Sequence, residues 1–381
     1  MPANSTPEAL HVLHLSSWYP EGPASRNGIF IIRQVEALAA QCVKSGLVAA
    51  PLSKEGKHEL QKKEELGVWH YIHAYGTGNN PLVQAWRQLR AMNSAIRSYL
   101  ADRGKPDLLV VHVAWKAGWW ALWLHYRYNI PFVLAEHWSG YLPQNAQFKG
   151  FLLRYLTQMV TNRAETIVCP SALLADAMQA HHLKNRYELI PNVVDTTVYK
   201  KIPGQQRKGY FLHVSNLAPV KRFDLVLERF QRFRALHPEA TLKVAGAYDI
   251  AAARQKFTGQ LNGVELLGVQ SAETLAELYA SANGMVLCSE FETFSIVVPE
   301  ALACGCRVLA PDLPALKQHQ LLGPLSLVEP ADEQAWDAAL QACWLEQPAA
   351  DESANHREHP YNAAVVGQKW LKLLKRIRHV A

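Results

Sequence analysis

Short apolar runs alternate with longer stretches whose apolar residues recur every three or four positions, along nearly the whole chain. The runs at 11–15, 47–52, 68–72, 108–113, 132–135 and 166–169 read as strands, and several are apolar on both faces. Between them, 29–40, 82–100 and 148–163 carry the helical period. Strands without a polar face need cover on both sides, so the alternation predicts an α/β fold with a parallel sheet between helices.

The pattern then restarts. Strands are predicted at 210–214, 242–245, 264–267, 285–288 and 307–310, with helices near 223–233, 272–280 and 296–303. The stretch 191–206 between the two series is polar and holds Pro191, Pro203 and Gly204, the composition of an interdomain linker. After a polar gap at 347–360, a last helical pattern runs over 362–377 and ends in a Lys/Arg-rich turn that suits a helix C-terminus. We therefore expect two Rossmann-like doubly wound parallel-sheet domains facing a cleft. Residues 1–195 form the first, 205–360 the second, and 361–381 a terminal helix. Open α/β sheets bind ligands beyond the carboxyl ends of their strands, so the expectation is a two-part substrate site.

Composition narrows the class. The 381 residues are 49% apolar and 19% charged, which suits a globular chain of about two domains and not a disordered one. Six cysteines without a Cys-x-x-Cys pair read as buried free thiols of a reducing compartment. The net charge of +6 is uneven: residues 1–195 carry 19 Lys/Arg against 14 Asp/Glu, and residues 196–381 carry 20 against 19. Positions 66–101 hold no acid, while Arg87, Arg90 and Arg97 fall close to one helical face. This charge suits an anionic substrate or peripheral contact with an anionic membrane, and is too sparse for a nucleic-acid partner. The first residues have neither the basic nor the apolar region of a signal peptide. The most apolar stretch, 117–124, is too short to cross a bilayer. The expected location is the cytoplasm, with the inner face of the membrane as an option.

Several chemistries are excluded by motif. Gly76-Thr-Gly78 lacks the third glycine of a dinucleotide fingerprint and the acid that should follow it. There is no P-loop, no Gly-x-Ser-x-Gly elbow, no Asp-x-Asp metal grip and no His-Glu-x-x-His. Neither a metal site nor a cofactor is expected.

The informative segment is Ser289-Glu-Phe-Glu-Thr-Phe-Ser-Ile-Val-Val-Pro-Glu-Ala-Leu-Ala-Cys-Gly305, which leaves a strand, turns and enters a helix. Glu292 lies in the turn, and Thr293, Phe294 and Ser295 stand at the expected helix start, where unpaired N–H groups favour an anion. Glu300 follows about two turns inside. Two carboxylates around an anion-binding helix end suit a ligand with phosphates flanked by hydroxyl-bearing sugars.

This segment resembles the donor site of glycosyltransferase family four, the retaining sugar transferases of the GT-B fold. Those enzymes carry two glutamates eight positions apart followed by an Ala-Leu-Ala-x-Gly tail, matched by Glu292, Glu300 and 301–305. Other segments are similar in the family's order: Trp18-Tyr-Pro20 through Gly28, Glu136-His137, Cys169-Pro-Ser171, Pro191-Asn-Val-Val-Asp195, His213 through Lys221, and Leu266-Leu-Gly-Val269. Five places depart from the pattern: Asn216 stands for an arginine, Arg222 for a common glycine, Val193 for a linker glycine, Arg307 for a proline, and Pro311-Asp-Leu-Pro for a Gly-Gly turn.

The resemblance implies a retaining glycosyltransferase that uses a UDP- or GDP-sugar and a glycan or lipid-linked acceptor, in cell-surface polysaccharide or glycolipid synthesis. It implies Lys221, Glu292 and His137 as catalytic, with Lys221 helped by Arg222 at the diphosphate. Gly28, Asn216, Val269, Thr293, Phe294, Ser295 and Glu300 would line the donor, Glu292 at the sugar and Glu300 at the ribose. Trp18, His112, Trp138 and Tyr141 would reach the acceptor. It also implies that the terminal helix returns to the first domain. Competing readings are a nucleotide-sugar epimerase, a phosphorylase, and a binding partner of weakened activity, the last motivated by Asn216 and the missing Gly-Gly turn.

Overall fold

The computed structural model describes residues 9–20, 27–53, 59–77, 80–345 and 359–378, which form two compact units. The first comprises 1–193 and 363–381, the second 194–362. In the first, the chain runs β1 (His11–Ser16), α1 (Ile29–Ala39), β2 (Lys44–Ala49), β3 (Leu52–Ser53), β4 (Leu60–Glu65), β5 (Val68–His73) and β6 (Tyr75–Gly76). It continues through α2 (Pro81–Arg103), β7 (Leu108–His112), α3 (Ala117–Tyr128), β8 (Phe132–Ala135), α4 (Phe151–Arg163), β9 (Ile167–Cys169), α5 (Ala172–Ala180) and β10 (Tyr187–Leu189). Eight strands make one sheet in the order β10-β9-β8-β7-β1-β2-β5-β4, parallel throughout except for β4. Strand β4 (Leu-Gln-Lys-Lys-Glu-Glu) has no apolar alternation because it is an exposed edge paired on one side only. The predicted strand at 47–52 is two: Pro51, which has no N–H to donate, separates β2 from β3.

The second unit runs β11 (Tyr210–Val214), α6 (Phe223–Leu236), β12 (Thr241–Ala245), α7 (Ile250–Lys256), β13 (Val264–Gly268) and α8 (Ala272–Ser281). It continues with β14 (Gly284–Val286), α9 (Val297–Ala303), β15 (Val308–Pro311), α10 (Pro314–Lys317), β16 (Leu325–Val328) and α11 (Glu333–Leu345). Its sheet has the order β13-β12-β11-β14-β15-β16, all parallel. Val193 is buried in the core of the first unit and Val194 and Tyr199 in that of the second. The chain leaves one hydrophobic core and enters the other within two residues.

The last helix, α12 (Ala363–Arg378), lies in the first unit. Val366, Trp370, Leu373, Leu374 and Ile377 are buried with Leu38 of α1 and with Val12, Val110 and Val133 of the sheet. Gly367 lets the two helices touch: a Cβ there would stand 2.2 Å from the Ala37 carbonyl oxygen.

Both sheets reverse their order once, between β1 and β7 in the first and between β11 and β14 in the second. Loops that leave the carboxyl ends of strands at such a switch point diverge and leave a crevice, which is where this fold class binds ligands.

Candidate functional site

In the second unit the loops after β11 and β14 are tied together, the Glu290 N–H donating to the Val220 carbonyl at 2.8 Å. The Lys221 Nζ donates to Glu292 Oε1 at 2.7 Å, and the Ser289 hydroxyl donates to the same oxygen at 2.8 Å. Glu292 is buried while Lys221 keeps 26% of its side chain in reach of solvent. The pair is thus a charge-assisted hydrogen bond with its cation facing outward. Beneath it His213 is fully buried, its Nδ1 2.8 Å from the Val286 carbonyl, so that Nδ1 carries the proton. Its Nε2 then accepts from the Ser215 hydroxyl at 2.8 Å, and the Ser215 oxygen accepts the Leu217 N–H at 3.1 Å. Burial holds His213 down at about 4, so this prop for the Lys221 loop is neutral at ordinary pH.

The other expected donor residues occupy less uniform places. Asn216 is exposed and its side chain closes a local turn on the Ala218 N–H at 3.1 Å. Arg222 sits in the left-handed region (φ 44°), and three bonds of 2.8–3.2 Å join it to Asp224. Its charge is therefore already engaged beside Lys221. Val269 is half-buried at the end of β13.

Helix α9 begins at Val297, not near Phe294, so Thr293, Phe294 and Ser295 form the bend before it and Glu300 lies in its first turn. The reason is local: Ser295 has a φ of 60°, which a right-handed helix cannot continue through. The helix-end anion reading of 293–295 is corrected accordingly. Phe294 turns into the core against His319 and Tyr361, and its carbonyl lies 2.6 Å from the His319 Nε2. Glu300 is buried, close enough to Tyr279 to add to the burial that lifts that phenol well above its ordinary range.

In the first unit, Gly28 caps α1 with φ 77°, and a Cβ there would meet the Trp18 carbonyl oxygen at 2.6 Å. Only glycine fits. Glu136, at the end of β8, is fully buried and its two oxygens accept four bonds. These come from the N–H groups of Ala114 (3.0 Å), His137 (2.8 Å) and Trp138 (3.0 Å) and from the Tyr141 hydroxyl (3.0 Å). This carboxylate fixes the loop that carries His137 and Trp138. Burial raises its pKa and the bonds oppose that rise. Tyr141, expected at the acceptor, is instead buried, with its hydroxyl spent on Glu136.

His137 ends a chain of three buried imidazoles. The His14 Nδ1 lies 3.1 Å from the His112 Nε2, and the His112 Nδ1 lies 3.4 Å from the His137 Nε2. Their planes differ by only 19° and 12°, with ring centres 5.4 and 5.7 Å apart. In both pairs the centres are farther apart than the nitrogens by about two ring radii, so the rings meet edge to edge in one plane. His112, expected to touch an acceptor, is the closed middle of this chain.

Beside it, at the switch point, a cavity of about 280 Å³ opens among the loops after β1, β2 and β7. Trp18 and Trp138 line it, as expected of acceptor-side aromatics, together with Tyr75, Trp115, Lys116 and Gln88 of α2. Sequence reasoning missed Ser289, His14 and Lys116. The segment signals named their neighbours, but nothing local marks a serine, a strand histidine or a lysine at a helix start as special.

A model of Glycosyltransferase Family 4 matches residues 28–198, and a model of Glycosyl transferases group 1 matches residues 208–345. An uncharacterized glycosyltransferase of Methanocaldococcus jannaschii is 26% identical over 250 residues, covering 65% of this chain and 62% of that one. The chain thus spans under two thirds of that relative's length. Among solved structures, a sucrose-phosphate synthase from Thermosynechococcus elongatus superposes with a TM-score of 0.74 at 19% identity, covering 97% of this chain and all (100%) of the other. The Anabaena protein HepE, solved with UDP and glucose, superposes at 0.69 with 16% identity, covering 96% and 100%. The fold is therefore that of the two-unit GT-B sugar transferases. Two adjoining family models account for most of the sequence, in the order in which the two units follow each other. The chain belongs to glycosyltransferase family four, among the group 1 glycosyl transferases.

Proposed function

We propose that the chain is a retaining glycosyltransferase that moves a sugar from a UDP- or GDP-sugar to a glycan or lipid-linked acceptor, in the synthesis of cell-surface polysaccharide or glycolipid. The observation that carries the reading is the Lys221–Glu292 pair at the switch point of the second unit, with the buried Glu300 eight residues further on. Glycosyl transfer breaks the bond between the sugar and a diphosphate, through a transition state with growing negative charge on the phosphate. A fixed cation aimed at that charge lowers the barrier, and Lys221 supplies one. Glu292 holds hydroxyls of the donor sugar, Glu300 holds the ribose, and the base lies against Val269. The leaving phosphate takes the proton of the acceptor, so no protein nucleophile is assigned. HepE was solved with UDP and glucose, which supports a UDP-sugar as the first donor to try. Among the described residues no helix is long and apolar enough to cross a membrane. Contact with a lipid acceptor would then be peripheral, through the acid-free first half of α2, where Leu82, Trp86 and Leu89 are exposed beside Arg87 and Arg90.

The test is donor turnover by purified protein. Lys221→Ala is expected to lower transfer or hydrolysis of the donor by about a hundred-fold, the loss of ~3 kcal/mol of transition-state stabilisation. Glu292→Ala is expected to weaken the donor sugar more than free UDP or GDP. Unchanged turnover in both variants refutes the assignment. A chain that binds no nucleotide by calorimetry is instead the binding partner of weakened activity, the reading favoured by Asn216 in its closed turn.

A further inference from the structure

We propose that the cavity at the switch point of the first unit is a subsite for a sugar ring bearing an anionic group, phosphate or carboxylate, with Lys116 as the cation that reads the charge. The proposal rests on the glycosyltransferase reading only for calling that sugar the acceptor; the binding chemistry belongs to the first unit alone. The walls are aromatic, from Trp18, Tyr75, Trp115 and Trp138, and amphipathic rings of this kind give flat apolar faces with polar edges. At about 280 Å³ the cavity is at the small end of ligand pockets, which run ~300–1,000 Å³, and suits one ring rather than a chain. Among the described residues no Asp or Glu lines it.

Lys116 is held there at a cost to the backbone. Its φ and ψ are 69° and −61°, and the Ala117 N–H reaches the Trp115 carbonyl at 3.0 Å. That is the rare γ-turn that strains any residue with a side chain. Ser17, from the loop after β1, locks the turn: its hydroxyl donates to the Trp115 carbonyl at 2.8 Å and its oxygen accepts the Ala117 N–H at 3.1 Å. Strain held in place by a second loop, at the rim of a cavity, marks a position kept for what its side chain does. Among the described residues no carboxylate pairs with the Lys116 ammonium. Lys116 is exposed overall, and the part of it that the protein covers presses it below the ordinary lysine range. A bound anion would relieve this penalty, and a neutral ring would not. The same residue caps α3, whose positive dipole end and acid-free first turn favour the same charge.

The experiment measures binding of glucose 6-phosphate, glucuronate, glucose and inorganic phosphate to the full chain by ligand-observed NMR titration. The charged sugars are expected to bind at least about tenfold more tightly than glucose. Glucose 6-phosphate is expected to outbind phosphate, because ring and charge are both read. Lys116→Gly is expected to abolish the preference while raising the melting temperature, since glycine relieves the strained turn. Lys116→Arg is expected to keep the preference. Equal binding of glucose and its charged forms overturns the proposal. So does a preference that survives in Lys116→Gly, or no binding of either charged sugar at about 10 mM, where a weak but specific subsite would still be occupied. UDP and GDP are titrated on the same samples. If neither binds while the charged sugars do, the glycosyltransferase reading fails and the subsite stands; the reverse result removes the subsite alone.

Discussion

The chain of imidazoles at His14, His112 and His137 ties the stability of the first unit to pH. Burial holds His14 and His137 down at about 3 and His112 well below its ordinary value of 6.5. All three are therefore neutral in the folded state throughout the working range. Their pKa values are lower folded than unfolded, so the unfolded chain binds more protons and stability falls as pH falls through 6.5. Between about pH 7.5 and pH 5.5 each such histidine costs ~1.4 kcal/mol, and three cost about 4 kcal/mol. Geometry sharpens the expectation. Each of the two contacts needs one proton between its nitrogens, so the chain accepts one extra proton at its free ends, while a second sets N–H against N–H. Urea unfolding at the two pH values, followed by circular dichroism, measures the difference. His112→Leu is expected to reduce the pH-dependent loss by about 1.4 kcal/mol, the share of one buried histidine. An unchanged pH dependence in the variant, or imidazole Cε1 proton resonances of these residues that titrate near 6.5, refutes the reasoning.

Two further outcomes follow from single sites. Gly28→Ala puts a methyl group 2.6 Å from the Trp18 carbonyl oxygen at a left-handed φ, and should cost about 2 kcal/mol in denaturant unfolding. Unaltered stability would mean that the loop after β1 is not held as described. Glu136→Ala strands three backbone N–H groups and the Tyr141 hydroxyl, at ~1–3 kcal/mol for each buried donor left without a partner. A loss above about 4 kcal/mol is expected, together with rapid exchange of the His137 and Trp138 amides; protection equal to that of the unaltered chain would show that the carboxylate is not what orders the loop.

The alternation of apolar runs and helical periods was enough to place most of the sheet strands, because a strand covered on both sides must be apolar throughout and looks so in any context. It failed where this rule does not apply. Strand β4, Leu60–Glu65, is an exposed edge whose pairing comes from β5 alone. The apolar stretch at 117–124 is helix α3, apolar over most of its surface because it lies between strands and α4. The helix after Glu292 starts late because of one residue, Ser295, whose backbone conformation no propensity announces.

The candidate site divides the same way. Glu292 and Glu300 are visible in the sequence because they share one segment and a fixed spacing, and Gly28 because a glycine before an amphipathic helix is a recognisable start. What surrounds them is not local. Lys221 meets Glu292 across 71 positions, Ser17 locks the turn of Lys116 across 98, and His14 meets His112 across 98. Such partners come together only because β1 lies beside β7 and β11 beside β14. The sequence by itself therefore determined the two layered units and the carboxylate pair, which depend on periodicity and near-neighbour spacing, and pointed to the family through the resemblance of its segments. Strand order decided the rest: which lysine meets which carboxylate, which histidines are sealed from water, and that a strained lysine faces an aromatic cavity. These are distances between residues remote in the chain, and only the packed sheet sets them.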